Sequence, residues 1–193
     1  DGILRKLPIG IQTFEKLREG DYLYVDKTAL VWRIASTETP YFLSRPRRFG
    51  KSLLLSTFEA YFEGKKNLFE GLAIADMEKE WKTYPVFHLD LNAEKYDSPQ
   101  ALVEILSRQL TQWELKYGKG EDEETLSGRF AGVIRRACEQ SGRGVVVLVD
   151  EYDKPLLQAL DDGALLDDYR KTLKAFYGVL KSSDRYLRFV FLT

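Results

Sequence analysis

At 193 residues the chain is long enough for one substantial domain with a well-buried core. Its 29 lysines and arginines nearly balance 30 aspartates and glutamates, which excludes a global field drawing it to nucleic acid or an anionic membrane; any such binding has to be local. The single cysteine, Cys138, excludes an internal disulfide and a cysteine metal cluster, and beside Ile134 and Ala137 it reads as an inert core thiol.

The longest apolar runs, such as Val145 to Val149, are too short to span a bilayer, and the N-terminus has no signal-peptide apolar region, so a cytoplasmic location is expected. The chain starts at Asp1 without an initiator methionine. It stops at Thr193 directly after the apolar run Phe189–Leu192, which suggests an excised piece whose C-terminal domain is absent.

Residues 1–38 form a segment ahead of the main motif, and 39–193 read as one compact core. In the first segment Tyr22-Leu23-Tyr24-Val25 is β-prone, and Thr28 is placed to cap a helix with Leu30, Val31 and Ile34 on one side. Tyr41-Phe42-Leu43 then leads into Arg45-Pro46-Arg47-Arg48-Phe49-Gly50-Lys51-Ser52. A helix over residues 52–63 follows, with apolar residues at 54, 55, 58, 61 and 62 and Gly64 as its C-cap.

Val86 to Leu91 is a second β-prone run. Ser98-Pro99 pairs an N-cap with proline at the first helical position, opening a helix through Leu102, Leu106, Leu110 and Trp113 to Gly118. The acidic stretch from Gly118 to Glu124 reads as a solvated loop, and the next helix carries Leu126, Phe130, Ile134 and Ala137 to Gly142. Val145 to Val149 is a continuous β-branched run of the kind buried on both faces in a parallel sheet, and it ends in Asp150-Glu151. A long amphipathic helix (Leu165, Tyr169, Leu173, Phe176, Leu180) and a last strand from about Tyr186 to Leu192 complete the order. Alternating strands and helices predict an α/β fold, a three-layer α/β/α parallel sheet.

Two half-motifs carry the chemistry. Gly50, Lys51 and Ser52 end a phosphate-binding loop of the form G-x-x-x-x-G-K-[ST], with Arg45 standing where the first glycine is expected. Strand, glycine-containing turn and helix follow in the order that throws backbone N–H groups and a helix N-terminus at a phosphate. The stretch Arg47, Arg48, Phe49, Gly50, Lys51, Ser52 and Leu53 is therefore the candidate nucleotide-binding loop. Far downstream, four apolar strand residues run into the acid pair Asp150-Glu151, where ligands of open α/β sheets bind. In this reading Lys51 offsets phosphate charge, Ser52 and Asp150 hold Mg²⁺, and Glu151 orients or deprotonates the attacking water. ATP and Mg²⁺ are the expected cofactors.

The stretches LPIGIQTFEKLREGDYLYVDKT, FLSRPRRFGKSLLLSTFEAYFEG, FHLDLN and VVVLVDEYDKP resemble the predicted AAA-ATPase-like family of P-loop proteins, over residues 7–193. The resemblance implies an AAA-like ATPase core with an extra strand between the phosphate-loop strand and the acid-pair strand, truncated here after the fourth core strand. It also implies that members often continue into a restriction-endonuclease-like nuclease domain. Thr193 takes the place of a polar γ-phosphate sensor in that scheme, and Asn92 the place of a residue restraining Glu151 until a partner binds. Two alternatives stay open: a nucleotide-dependent switch with negligible hydrolysis, and the motor of a DNA-processing protein. A homo-oligomer and nucleic-acid contact through the absent domain also stay open as partners.

Several residues carry a plainer reading beside the functional one. Arg45, Arg47 and Arg48 suit phosphate oxygens, nucleic acid or a solvated loop equally. His88 lacks metal-binding neighbours and reads as a core or edge histidine. Phe14, Tyr22, Tyr24 and Trp32 are candidates for adenine packing, with core packing the simpler role, and Asp153 is expected to cap the next turn.

Overall fold

The computed structural model describes residues 5–6, 13–37, 41–43, 51–92 and 95–193. The expectations placed on Arg45, Pro46, Arg47, Arg48, Phe49 and Gly50 fall outside these residues, and of Lys51 only its backbone place at the head of a helix is described.

Four parallel strands form one sheet: β1 (Tyr41–Leu43), β2 (Val86–Asp90), β3 (Val145–Asp150) and β4 (Leu187–Leu192), in the order β1-β4-β3-β2. The register pairs Leu43 with Leu192, Val149 with Leu192, and Asp90 with Asp150, so the C-terminal ends of all four strands lie along one edge. The last strand is thus inserted between the first and the third. Every residue of β3 is buried, because strands flank it on both sides and helices cover both faces.

The alternation along β3 sorts the core into two halves. Val145, Val147 and Val149 join Phe87 and Leu89 of β2 against α5 (Pro99–Tyr117), α6 (Leu126–Ser141) and α8 (Gly163–Ser182). Val146 and Leu148 join Phe189 and Phe191 of β4 against α1 (Phe14–Glu19), α2 (Thr28–Ala35) and α3 (Lys51–Phe62). Two short helices, α4 (Ala73–Met77) and α7 (Lys154–Gln158), and 3₁₀ turns at Lys66–Phe69 and Asp184–Tyr186 fill the connections.

Helix ends follow the capping chemistry read from the sequence. Ser98 Oγ accepts from the Ala101 N–H at 3.3 Å, with Pro99 at the first position of α5, and Gly118 ends that helix at φ 93°. Thr125 Oγ1 accepts from the Gly128 N–H at 3.0 Å, and Gly142 closes α6 in the left-handed region at φ 70°. Between α5 and α6, Arg129 donates to both Glu114 carboxylate oxygens, at 3.1 and 2.6 Å, and to Ser107 Oγ at 2.7 Å; Arg129 and Glu114 are both buried.

Three details depart from the sequence reading. Tyr22–Val25 is not a strand: Tyr22 makes one isolated bridge to Lys6, Leu23 and Val25 are exposed, and Tyr24 alone packs on the core, against Phe14. In α2, Leu30 is exposed while Thr28, Val31 and Ala35 face the core. Thr28 is the first helical residue rather than the cap; Asp26 Oδ1 accepts from its N–H and hydroxyl at 2.9 and 2.6 Å, and Thr28 Oγ1 accepts in turn from the Ile74 N–H of α4. The acidic loop is not simply solvated either, since Glu123 holds Arg136 through two bonds of 2.6 and 2.8 Å. The Arg136 hydrogen bonds keep the Glu123 carboxyl below the usual range despite its partial burial.

Candidate functional site

The site forms where the C-terminal ends of β2, β3 and β4 meet the N-terminus of α3. Asp150 ends β3 on the α3 side of the sheet, the same face as Val146 and Leu148, and its side chain is buried. Ser52, in the first turn of α3, donates its hydroxyl to Asp150 Oδ2 at 2.9 Å. Thr193, one residue past β4, donates its hydroxyl to Asp150 Oδ1 at 2.9 Å and is itself 1 % exposed. Three residues distant in the chain therefore share one carboxylate. Among the described side chains no cation is bonded to it, and two neutral donors satisfy its two oxygens.

The backbone fixes this arrangement. The Thr193 N–H donates to the Val149 carbonyl at 2.9 Å, the Leu91 N–H to the Asp150 carbonyl at 3.0 Å, and the Tyr152 N–H to the Thr193 carbonyl at 3.0 Å. These bonds carry the parallel ladder one step beyond the strands on each side of Asp150. Immediately after it, Glu151 turns into the left-handed region at φ 57°, a conformation costly for a residue with a Cβ. Its carbonyl accepts from the Lys154 N–H at 3.1 Å, and the Tyr177 hydroxyl donates to the Tyr152 carbonyl at 3.3 Å, so the turn is pinned on both sides.

Asn92 stands at the end of β2. Its N–H donates to Asp90 Oδ1 at 2.8 Å, and its side-chain oxygen accepts from Lys154 Nζ, which also approaches its carbonyl at 3.3 Å. These bonds link the β2 end to α7. Leu53 is half-buried against the core face of α1 to α3, and its carbonyl accepts from the hydroxyls of Ser56 and Thr57. Asp153 precedes α7 but makes no side-chain cap; its carbonyl alone accepts, from the Leu157 N–H.

One pair beneath the site escaped the sequence reading. His88 Nδ1 lies 2.9 Å from Glu59 Oε2. Burial pulls the imidazole pKa down, but the Glu59 hydrogen bond and the charges of Glu59, Asp150 and Asp90 outweigh it and raise it. The His88 hydrogen bond in turn holds the Glu59 carboxyl below its usual range, against the effect of burial. The spacing carries the signal: Glu59 falls two helical turns after Ser52, and His88 two strand residues before Asp90, so both share the site's face.

Of the aromatics, Phe14 is fully buried, edge-on to Tyr24 at 5.6 Å and tilted against Phe69 at 4.8 Å, which makes it core. Trp32 borders a cavity elsewhere. Cys138 is a half-buried free thiol whose pKa burial pushes up, as an inert packing residue requires. Among the described residues no group of three or more His, Cys, Asp or Glu gathers to hold a metal, and no helix is long and apolar enough to cross a membrane.

A parallel α/β sheet whose strand ends gather a buried aspartate and two hydroxyls is the setting of a ligand-binding α/β protein. The chain belongs to the AAA-ATPase-like family, described as a predicted AAA-ATPase, whose model matches residues 8–193. It is also 42% identical over 190 residues to an uncharacterized protein in the vnfD 5' region of Azotobacter chroococcum mcd 1. That match covers 98% of this chain and 37% of the relative, so the chain spans little more than a third of the relative's length. No solved structure matches it.

Proposed function

We propose that the chain is a P-loop nucleoside triphosphatase core, residues 39–193 preceded by the segment 1–38, that binds ATP with Mg²⁺ and hydrolyses it. The observation that carries this reading is the shared carboxylate: Ser52 and Thr193 both donate to Asp150 at the sheet edge, directly after the loop that ends in Lys51. A hydroxyl and a carboxylate 2.9 Å apart are hard oxygen donors, and they fit Mg²⁺, which takes one or two protein ligands and keeps several waters. When bound, Mg²⁺ supplies neutralising charge to the phosphate oxygens.

The chain's own residues do the rest. Lys51 neutralises β- and γ-phosphate charge. Ser52 and Asp150 would hold the ion, Ser52 through the hydroxyl that otherwise donates to Asp150 Oδ2. Glu151, held in place by its pinned turn, accepts the proton of the water that attacks the γ-phosphate. Thr193, bonded to Asp150 from the other side, is placed to register whether the carboxylate is engaged. Asn92 sits within the same strand-end cluster and is the candidate restraint on Glu151 through its link to Lys154.

Isothermal titration with ATP, ADP and GTP, with and without Mg²⁺, together with phosphate release, tests this. Mg-dependent ATP binding that Lys51→Ala abolishes, and turnover that Glu151→Gln abolishes, are expected. Absence of Mg·ATP binding refutes the nucleotide reading. Binding with equally slow turnover in wild type and Glu151→Gln assigns the chain as a nucleotide switch instead.

A further inference from the structure

At the other end of the sheet lies a cavity of about 310 Å³ whose lining includes Trp32, Tyr61, Glu78, Lys82, Tyr84 and Arg188. Arg188 is the second residue of β4, Tyr84 precedes β2, and Tyr61 is in the last turn of α3, whereas Ser52 lies in the first turn of α3, Thr193 follows the end of β4, and Asp150 ends the neighbouring β3. Thr193 lies five residues after Arg188 along the strand, about 16 Å at the usual rise. The cavity therefore shares no residue with the phosphate site.

Its charges are unevenly satisfied. Glu78 accepts from the Tyr61 hydroxyl and from the Glu80 N–H at 3.0 Å, and Glu80 pairs with Lys82 at 3.1 Å. Both acids thus have partners within the cavity wall. Arg188 does not: its Nη2 donates to the Ala35 carbonyl at 2.8 Å, its guanidinium lies 5.4 and 5.6 Å from the Phe62 and Tyr84 ring centres, and no carboxylate among the described residues pairs with it. A guanidinium has five N–H donors in a planar fork, and one bond to a carbonyl leaves most of them for a ligand. The ring contacts hold that fork at the cavity wall, so little side-chain entropy is lost when it binds.

We infer that this cavity binds a small planar anion, an aromatic ring carrying a carboxylate or a phosphate, with Arg188 gripping the anion and Trp32 and Tyr84 walling the ring. Carboxylate and phosphate both match the guanidinium fork, and in a largely polar lining the indole and phenol supply the flat surface, at a volume suited to a single aromatic group. Lys82, exposed at the rim, is already paired with Glu80, which leaves Arg188 as the cation that grips the ligand.

Titration calorimetry of the intact chain tests the site, with indole-3-acetate as the carboxylate probe and phenyl phosphate as the phosphate probe. The expected result is binding of at least one, with Kd of about 1 mM or tighter, and at least tenfold weaker binding of indole alone and of inorganic phosphate. Which probe binds assigns the anion. Arg188→Gln should weaken binding about tenfold or more, in line with loss of a charge-assisted bond, while Lys51→Ala leaves it unchanged. Because Arg188 also packs on Phe62 and Tyr84, Trp32→Leu is the second variant; it should weaken binding while circular dichroism shows the chain still folded. Failure of both probes to bind, binding indifferent to both cavity variants, or binding lost in Lys51→Ala overturns the inference.

Discussion

Glu151 offers a measurement in which stability and activity part ways. Its φ of 57° places a residue with a Cβ in the left-handed region, which costs about 1–2 kcal/mol for most side chains. Glycine there escapes that cost but is freer in the unfolded chain by about 0.4–1 kcal/mol. Glu151→Gly is therefore expected to be more stable than Glu151→Ala by about 1 kcal/mol, a rise of about 2–4 °C in melting temperature for a domain of this size. Both variants lack the carboxylate, so phosphate release should fall about 10²–10⁴-fold in each, the usual contribution of a general base. Thermal unfolding followed by circular dichroism, alongside a phosphate-release assay, reads the two effects separately. An Ala variant as stable as the Gly variant would refute the strain; undiminished turnover in either would refute the assignment of the base.

Other outcomes follow from particular contacts. Asp150→Asn should remove the Mg²⁺-dependent part of ATP affinity while leaving the fold intact, since the amide fills the same space between Ser52 and Thr193; titration with and without Mg²⁺ reads this directly. Glu114→Ala strands the buried Arg129 guanidinium and should cost about 3–5 kcal/mol, seen as a fall in the denaturation midpoint. For the His88–Glu59 pair the folded imidazole pKa is raised from 6.5 and the carboxyl pKa is lowered from 4.5. Its stabilisation is thus fully present between pH 4.5 and 6.5 and is lost as pH rises through the folded imidazole value. The melting-temperature gap between wild type and Glu59→Gln should be widest in that window and close above it; a gap that widens with rising pH would contradict the pairing.

Long elements were legible in the sequence because period and caps reinforce one another. Strand β3 is an apolar run of four valines and a leucine ending in aspartate, and α5 and α6 carry both an apolar stripe and the Ser98, Gly118 and Gly142 signals that the structure uses, while the Thr125 cap was not read. Short helices such as α1 and α7 span less than two turns, too few for a periodicity to register. Leu30 and the Tyr22–Val25 run show propensity yielding to position, since Leu30, Leu23 and Val25 have no core to face. At the site, the Asp150-Glu151 pair was readable from a strand ending in acids. The bond from Thr193 to Asp150 was not, because it depends on β4 lying beside β3, a choice of neighbour that local sequence does not encode. Face arithmetic puts Glu59 and His88 on the same side of the sheet, but their contact also requires α3 to cross β2 at that height, which neither residue's own neighbours specify.

The strand order also sets a schedule. Strand β1 pairs with β4, the last strand of the chain, and with no other described strand. Roughly 150 residues must emerge between them, on the order of 10–30 s of synthesis at ordinary rates. Until then β1 lacks its only described neighbour and Asp150 lacks the Thr193 hydroxyl. The same late strand that closes the sheet also completes the hydrogen bonds of the Asp150 carboxylate, so sheet closure and the finished carboxylate cluster arrive together.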